Sequence, residues 1–236
     1  MDNKKADQAL VLHRVRYYSI CLKAMLTALH IPPSRIQFVV GSSFQESGNY
    51  IRDLYNLTSK VIDTKARKAG TEVVKQSSNR HVSDYLYPIM QTLDEHYLDS
   101  DAQLGGNDQR KIFTFAEEHL PLLGYDKRSH LLTPMVGGLK GGKMSASDEN
   151  SKIGIFDDQK TIQKKVSKAL CAPGDVENPL LTLLQHVLLP LLTHIHGESL
   201  VIPREEQYGG QVEYDCFLKV HDDFKTEKVI TPALLF

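Results

Sequence analysis

Apolar residues recur at helical spacing over residues 8–30: Val11, Val15, Tyr18, Leu22, Met25, Leu26 and Leu29. Pro32 and Pro33 stop that helix. The period then changes. Ile36-Gln37-Phe38-Val39-Val40, closed by Gly41-Ser42-Ser43, predicts a strand. Helices are predicted over about 48–62, 66–77 and 83–97. Ala102-Gln103-Leu104 leads into Gly105-Gly106, and a helix follows over about 108–120. A short strand, Ser129 to Thr133, then feeds a glycine-rich loop, Gly137 to Gly142. Strand, glycines, helix, strand is the α/β rhythm of a parallel sheet with helical crossovers.

After residue 155 the pattern becomes mainly helical, over about 157–170 and 179–193, and Pro190 is expected to end or kink the second helix. Ser199 to Ile202 against Val212 to Leu218 predicts a hairpin. The boundary is expected in the linker 148–156. This gives a first domain of 1–147 and a mainly helical second one of 148–236.

Composition narrows this picture. The chain has 236 residues, 41% hydrophobic and 24% charged, which excludes a disordered or fibrous protein. A net charge of −1 points to no nucleic-acid partner by itself. The charge is uneven, however: residues 140–168 hold seven lysines against four acids. That segment suits a locally docking anion, or is a solvated helix face. Three scattered cysteines, Cys21, Cys171 and Cys216, fit a reducing compartment better than a disulfide or zinc scaffold. The start, MDNKKADQ, has no apolar core of a signal peptide. The most apolar stretch, Pro179 to Ile195, is too short and too interrupted to span a bilayer.

Three groups of residues could carry chemistry. Tyr87, Gln91 and Asp94 lie at i, i+4 and i+7, on one helix face. They can hydrogen-bond a small polar ligand, or form an exposed polar stripe. Gly105-Gly106-Asn107-Asp108-Gln109 sits where a strand ends and a helix begins, the position at which open α/β sheets bind ligands. Asp108 could accept from ribose hydroxyls or cap the helix. Gly141-Gly142-Lys143-Met144-Ser145-Ala146-Ser147 is a loop of small residues presenting one lysine and two hydroxyls. Such a lysine can neutralise charge on a transferring phosphate. The loop does not match the GxxxxGK[ST] phosphate-binding pattern, because Met144 follows the lysine.

These residues resemble a known family. KMSAS (143–147) looks like the KMSKS loop of class I aminoacyl-tRNA synthetases. YPIMQTLDEHYL (87–98) and GGNDQRKIFTFAEEHLPLLGY (105–125) resemble tyrosyl-tRNA synthetases of the eukaryotic and archaeal type, as do KAGTEVVKQ (68–76), CAPGDVEN (171–178) and REEQYGG (204–210). The resemblance covers residues from about 10 to 232. It implies the C-terminal part of a Rossmann-type nucleotide-binding sheet, followed by a mainly helical anticodon-binding-like domain. It implies activation of L-tyrosine by ATP with Mg2+, transfer to tRNA(Tyr), a cytoplasmic location, and a homodimer or pseudo-dimer formed through the helices at 48–77.

Residue by residue, the resemblance has Asp94 accept the substrate's phenol hydroxyl, while Tyr87, Gln91 and Gln109 hold its polar end. Asp108 and Met144 would lie at the adenylate. Lys143, Ser145 and Ser147 would stabilise the phosphates. Arg110 would contact the acceptor stem, and Tyr208 would stack on an anticodon base. No protein-held metal is implied. Tryptophan activation is the weaker alternative, since an indole offers Asp94 no phenol hydroxyl.

The sequence departs from the family in three places. The HIGH motif is absent, and with it are expected to go the first strand and the tyrosine that shares the phenol hydroxyl with Asp94. His194-Ile195-His196-Gly197 comes after the lysine loop and reads as a helix end. Ala146 replaces the second lysine of KMSKS. Thr231-Pro232-Ala233-Leu234 stands in place of the family's His-Pro-x-Asp near the anticodon. A fragment inactive on its own is therefore expected. The alternative function is a catalytically silent tRNA- or partner-binding paralogue, or one half of a tandem synthetase.

Overall fold

The computed structural model describes residues 7–74, 81–142, 144 and 148–227. They divide into two compact units: residues up to Ala24 with Pro32–Met135, and Met25–Ile31 with Val136 onward. The glycine loop at 137–142 thus belongs to the second unit.

Helix α1 (Gln8–Ala28), which belongs to the first unit up to Ala24, starts at Asp7, whose carboxylate accepts the Leu10 N–H at 3.0 Å. The expected strand at Ile36–Val40 does not form. The segment pairs with no other strand among the described residues, and Val39 and Val40 stay exposed. β-propensity reflects packing on a half-covered pleated surface, and none of the described strands pairs with this segment. Short α2 (Ser42–Gln45) and α3 (Gly48–Thr58) follow, the latter capped by the Ser47 hydroxyl. The next helix, α4 (Asp63–Ala69), starts earlier than expected. It gives way to turns at 70–74, and residues 75–77 of the expected helix lie outside the described residues. Then come α5 (Val82–Tyr97), β1 (Ala102–Gly106), α6 (Arg110–His119) and β2 (Ser129–Thr133).

Strands β1 and β2 pair in parallel, with Gln103 opposite His130 and Gly106 opposite Thr133. This is the expected strand–helix–strand crossover. Apolar faces of α3, α5 and α6 close a core of Tyr50, Leu54, Leu57, Ile89, Leu93, Ile112 and Phe115. Buried Glu95 of α5 meets the His130 ring at 3.1 Å, and the other ring nitrogen lies 2.9 Å from Glu117. This pair ties β2 to α5 and α6, because a buried carboxylate needs a partner.

In the second unit, α7 (Gln159–Val166) is capped by Asp158, and α8 (Pro179–Leu183) by Asn178. The chain does not stop at Pro190. It continues through wider i→i+5 turns at Leu184–Leu188 and Leu191–His196, and ends at Gly197 in the left-handed conformation. The wider turns accommodate the hydrogen bond that a proline nitrogen cannot donate. The hairpin forms from β3 (Leu200–Ile202) and β4 (Val212–Tyr214), antiparallel. Its second strand stops at Tyr214, short of Leu218, because the chain bends at Asp215-Cys216 and enters α9 (Phe217–Lys225). Leu181, Leu184, Leu189, Ile202, Tyr214, Val220 and Phe224 form the core. Among the described residues, no helix is long and apolar enough to cross a membrane.

Candidate functional site

Helix α5 places Tyr87, Gln91 and Asp94 on one face, and all three are half-buried rather than solvated. Asp94 is heavily engaged. The Gln45 side-chain amide donates to both of its oxygens, at 2.9 and 3.1 Å. The Tyr50 hydroxyl lies 2.9 Å from Asp94 Oδ1 and 3.0 Å from the Met90 carbonyl oxygen, sharing one proton between them. Burial raises the Asp94 carboxyl above the ordinary aspartate value, and the two donors oppose that rise. Burial, and then the neighbouring Asp94 charge, push the Tyr50 phenol far above its usual range.

The end of β1 supplies the adjoining wall. A Cβ on Gly105 would lie 2.9 Å from both Gln109 Cγ and Phe113 Cζ. One on Gly106 would lie 2.8 Å from Met135 Sδ and 2.9 Å from Asp108 Oδ1. Both glycines thus permit close approach at ordinary backbone angles. The following 3-10 turn, Asn107–Gln109, opens α6. Asp108 sits inside this turn, and Gln109, not Asp108, is the cap position of α6. Gln91 donates to Gln109 Oε1 at 3.0 Å, joining α5 to the strand end. The Tyr87 phenol is raised by burial, and further by the charges of Asp94 and Asp108. The first unit therefore brings Tyr87, Gln91, Asp94, Asp108 and Gln109 together. Gln45 and Tyr50 were not legible as site residues in the sequence. They are 49 and 44 residues from Asp94, and no local spacing links them to it.

Other candidates lie apart from this group. Arg110 borders a cleft of about 450 Å³ with Lys65, Lys68, Lys111, Ile62 and Phe115. Lys65 pairs with Glu118 and Lys111 with Glu72, at 2.7 and 2.8 Å. In the second unit, Tyr208 ends a 3-10 turn with its ring 68% exposed. Arg204 holds that turn by donating to the Gly210 carbonyl at 3.1 Å. Met144 is exposed, and a Cβ on Gly138 would come within 3.2 Å of its Cα. Lys143, Ser145 and Ser147, and the stretch Thr231 to Leu234, lie outside the described residues. Among the described residues, no cluster of three or more His, Cys, Asp or Glu side chains could hold a metal ion.

The profile of the family "tRNA synthetases class I (W and Y)" matches residues 1–232. The cytoplasmic tyrosine–tRNA ligase of Saccharomyces cerevisiae is 46% identical over 239 residues, covering 99% of this chain. That of Danio rerio is 49% identical over 230 residues. The chain spans 61% and 42% of the lengths of these two relatives. Its fold superposes with a TM-score of 0.89 on the tyrosyl-tRNA synthetase from Archaeoglobus fulgidus crystallised with L-tyrosine. That protein is 35% identical, and the match covers 99% of this chain and 70% of that one. An α5 face built around a held carboxylate, a glycine-bounded strand end and these similarities agree, and the chain belongs to the tyrosyl-tRNA synthetases within the class I (W and Y) family.

Proposed function

We propose that this chain recognises tyrosine in a tyrosine–tRNA ligase, which activates L-tyrosine with ATP to tyrosyl-adenylate and transfers it to tRNA(Tyr). The carrying observation is Asp94, a half-buried carboxylate held by two donors on the same helix face as Tyr87 and Gln91. A carboxylate so placed accepts a ligand hydroxyl, and a ring without one leaves it unpaired. Tyr87, Gln91 and Gln109 would bind the amino acid's polar end, and Asp108 the ribose of the adenylate. The tyrosine carboxylate attacks the α-phosphate in line and pyrophosphate leaves, so the step needs positioning and charge stabilisation rather than a protein nucleophile. Lys143, Ser145 and Ser147 would supply that charge stabilisation, with Met144 beside the nucleotide. Mg2+ would enter with ATP, ligated largely by its phosphates, so a protein cage is not required.

On the same reading, residues 1–147 form the catalytic part and residues 148–236 the lysine-loop linker and an anticodon-binding-like domain. Arg110 would meet the acceptor stem, and exposed Tyr208 would stack on an anticodon base. Helices α3 and α4 would form a dimer contact, and the protein would act in the cytoplasm, as its relatives' names state for them. The test is tyrosine-dependent ATP–pyrophosphate exchange by the complete natural protein carrying these residues. Asp94→Ala should lower kcat/KM for tyrosine by about tenfold or more while the melting temperature holds, since losing a charged hydrogen bond costs about 1.5–3 kcal/mol. Unchanged tyrosine kinetics would return Asp94 to a purely structural role.

A further inference from the structure

The structure assigns Gln45 and Tyr50 as the positioning residues that aim Asp94 at a phenol hydroxyl, an assignment that rests on the tyrosine-site reading above. A carboxylate offers about four acceptor positions, two on each oxygen. Oδ1 of Asp94 has the Gln45 amide at 2.9 Å and the Tyr50 hydroxyl at 2.9 Å, which fills it. Among the described residues, Oδ2 has only the Gln45 amide, at 3.1 Å. One position on Oδ2 therefore stays open for a ligand donor. The two residues act through Asp94: they fix its rotamer and favour its charged form, and that orientation decides which ligands are paired and which are not.

Each positioning residue is itself held. Gln45 packs against the bare Cα of Gly41, where a Cβ would lie 3.1 Å from Gln45 Oε1, 3.2 Å from Cδ and 3.3 Å from Nε2. A methyl at Gly41 presses directly on the amide that spans Asp94. Tyr50 is fully buried, its ring edge-on to Tyr97 at 4.9 Å and to Phe44 at 5.8 Å. Tyr97 in turn donates to Asp53 at 2.6 Å. The orientation of Asp94 is thus set by α2 and α3 as well as by its own helix.

The measurement is the pair of dissociation constants for L-tyrosine and L-phenylalanine, taken on the complete natural protein and its variants. Gln45→Leu and Tyr50→Phe keep side-chain bulk and remove one donor each. Each should lower the tyrosine-over-phenylalanine ratio by about tenfold, with phenylalanine affinity little changed. Gly41→Ala should move the ratio in the same direction through the Gln45 amide alone. It also serves in place of Gln45→Leu if that variant does not fold. Asp94→Asn is the reference and should bring the ratio close to one. If Asp94→Asn keeps the parent ratio, the tyrosine-site reading fails and the assignment falls with it. If Asp94→Asn loses the ratio while Gln45→Leu or Tyr50→Phe retains it, the assignment of that residue is overturned and the tyrosine-site reading stands.

Discussion

A carboxylate that folding makes harder to ionise acts on stability and function in opposite directions. Burial raises Asp94 above its unfolded value, so the folded state holds its proton to higher pH than the unfolded chain does. The resulting contribution to stability is full below the unfolded aspartate value, about 3.9, and is lost as pH rises through the higher folded value. Tyrosine affinity should run the other way and fall as acid protonates Asp94. Asp94→Asn should therefore fold at least as stably as the parent at neutral pH, with the Gln45 amide turned to present its oxygen, while losing tyrosine affinity. Thermal melts and titrations against pH check both halves, and a destabilised Asp94→Asn variant would contradict the first. At the lysine loop, Lys143→Ala should slow adenylate formation and leave tyrosine affinity intact, because its charge acts on the transition state. Lys140 is engaged with Asp148 at 2.9 Å, so the Lys140→Ala, Lys143→Ala double variant shows whether it can substitute. Adenylate formation at the parent rate in both variants would make the loop a linker only. The triplet on α5 was legible because a helix repeats every few residues. The two donors on Asp94 were not, because nothing in the spacing of Gln45 and Tyr50 carries that contact.

At the scale of elements, the strand–helix–strand crossover was readable, whereas helix ends were less so, and departures arose where neighbours decide. Asn178, which the sequence reading did not single out, caps α8 just before Pro179. Its Oδ1 accepts the Leu181 N–H at 2.9 Å, and its Nδ2 donates to the Asp175 carbonyl at 2.6 Å. Asn178 is 1% exposed, so Asn178→Ala should cost about 1–2 kcal/mol, read as a lower denaturant midpoint. No change would mean that α8 is held by packing alone. The Ile36–Val40 run shows the limit of reading strands locally. Its composition is right for a strand, but pairing depends on another segment, and none of the described residues supplies one. Pro190 does not end its helix: a proline forbids one hydrogen bond, and the flanking wider turns can do without it.

For the whole molecule, the α/β class was legible from the order of its elements, whereas the extent of covered surface was not. Parallel sheets normally have both faces covered. Among the described residues, β1 and β2 pair only with each other, and Leu104 and Leu131 are exposed at 70% and 58%. On α1, Leu12 and Ile20 are likewise exposed, at 57% and 68%. The chain spans 61% of its yeast relative. So much apolar surface predicts that the folded 236-residue chain binds an apolar dye such as ANS, and that Leu12→Lys with Ile20→Lys reduces the signal. Absence of dye binding by the folded chain would show this face to be covered in solution.

The most direct test of the central claim is ATP–pyrophosphate exchange by the complete natural protein, with L-tyrosine and L-phenylalanine compared in parent and Asp94→Asn forms. Exchange should depend on tyrosine in the parent, with a kcat/KM for phenylalanine lower by orders of magnitude, and that difference should collapse in Asp94→Asn. Equal use of the two amino acids by the parent, or an undiminished preference for tyrosine in Asp94→Asn, would contradict the claim.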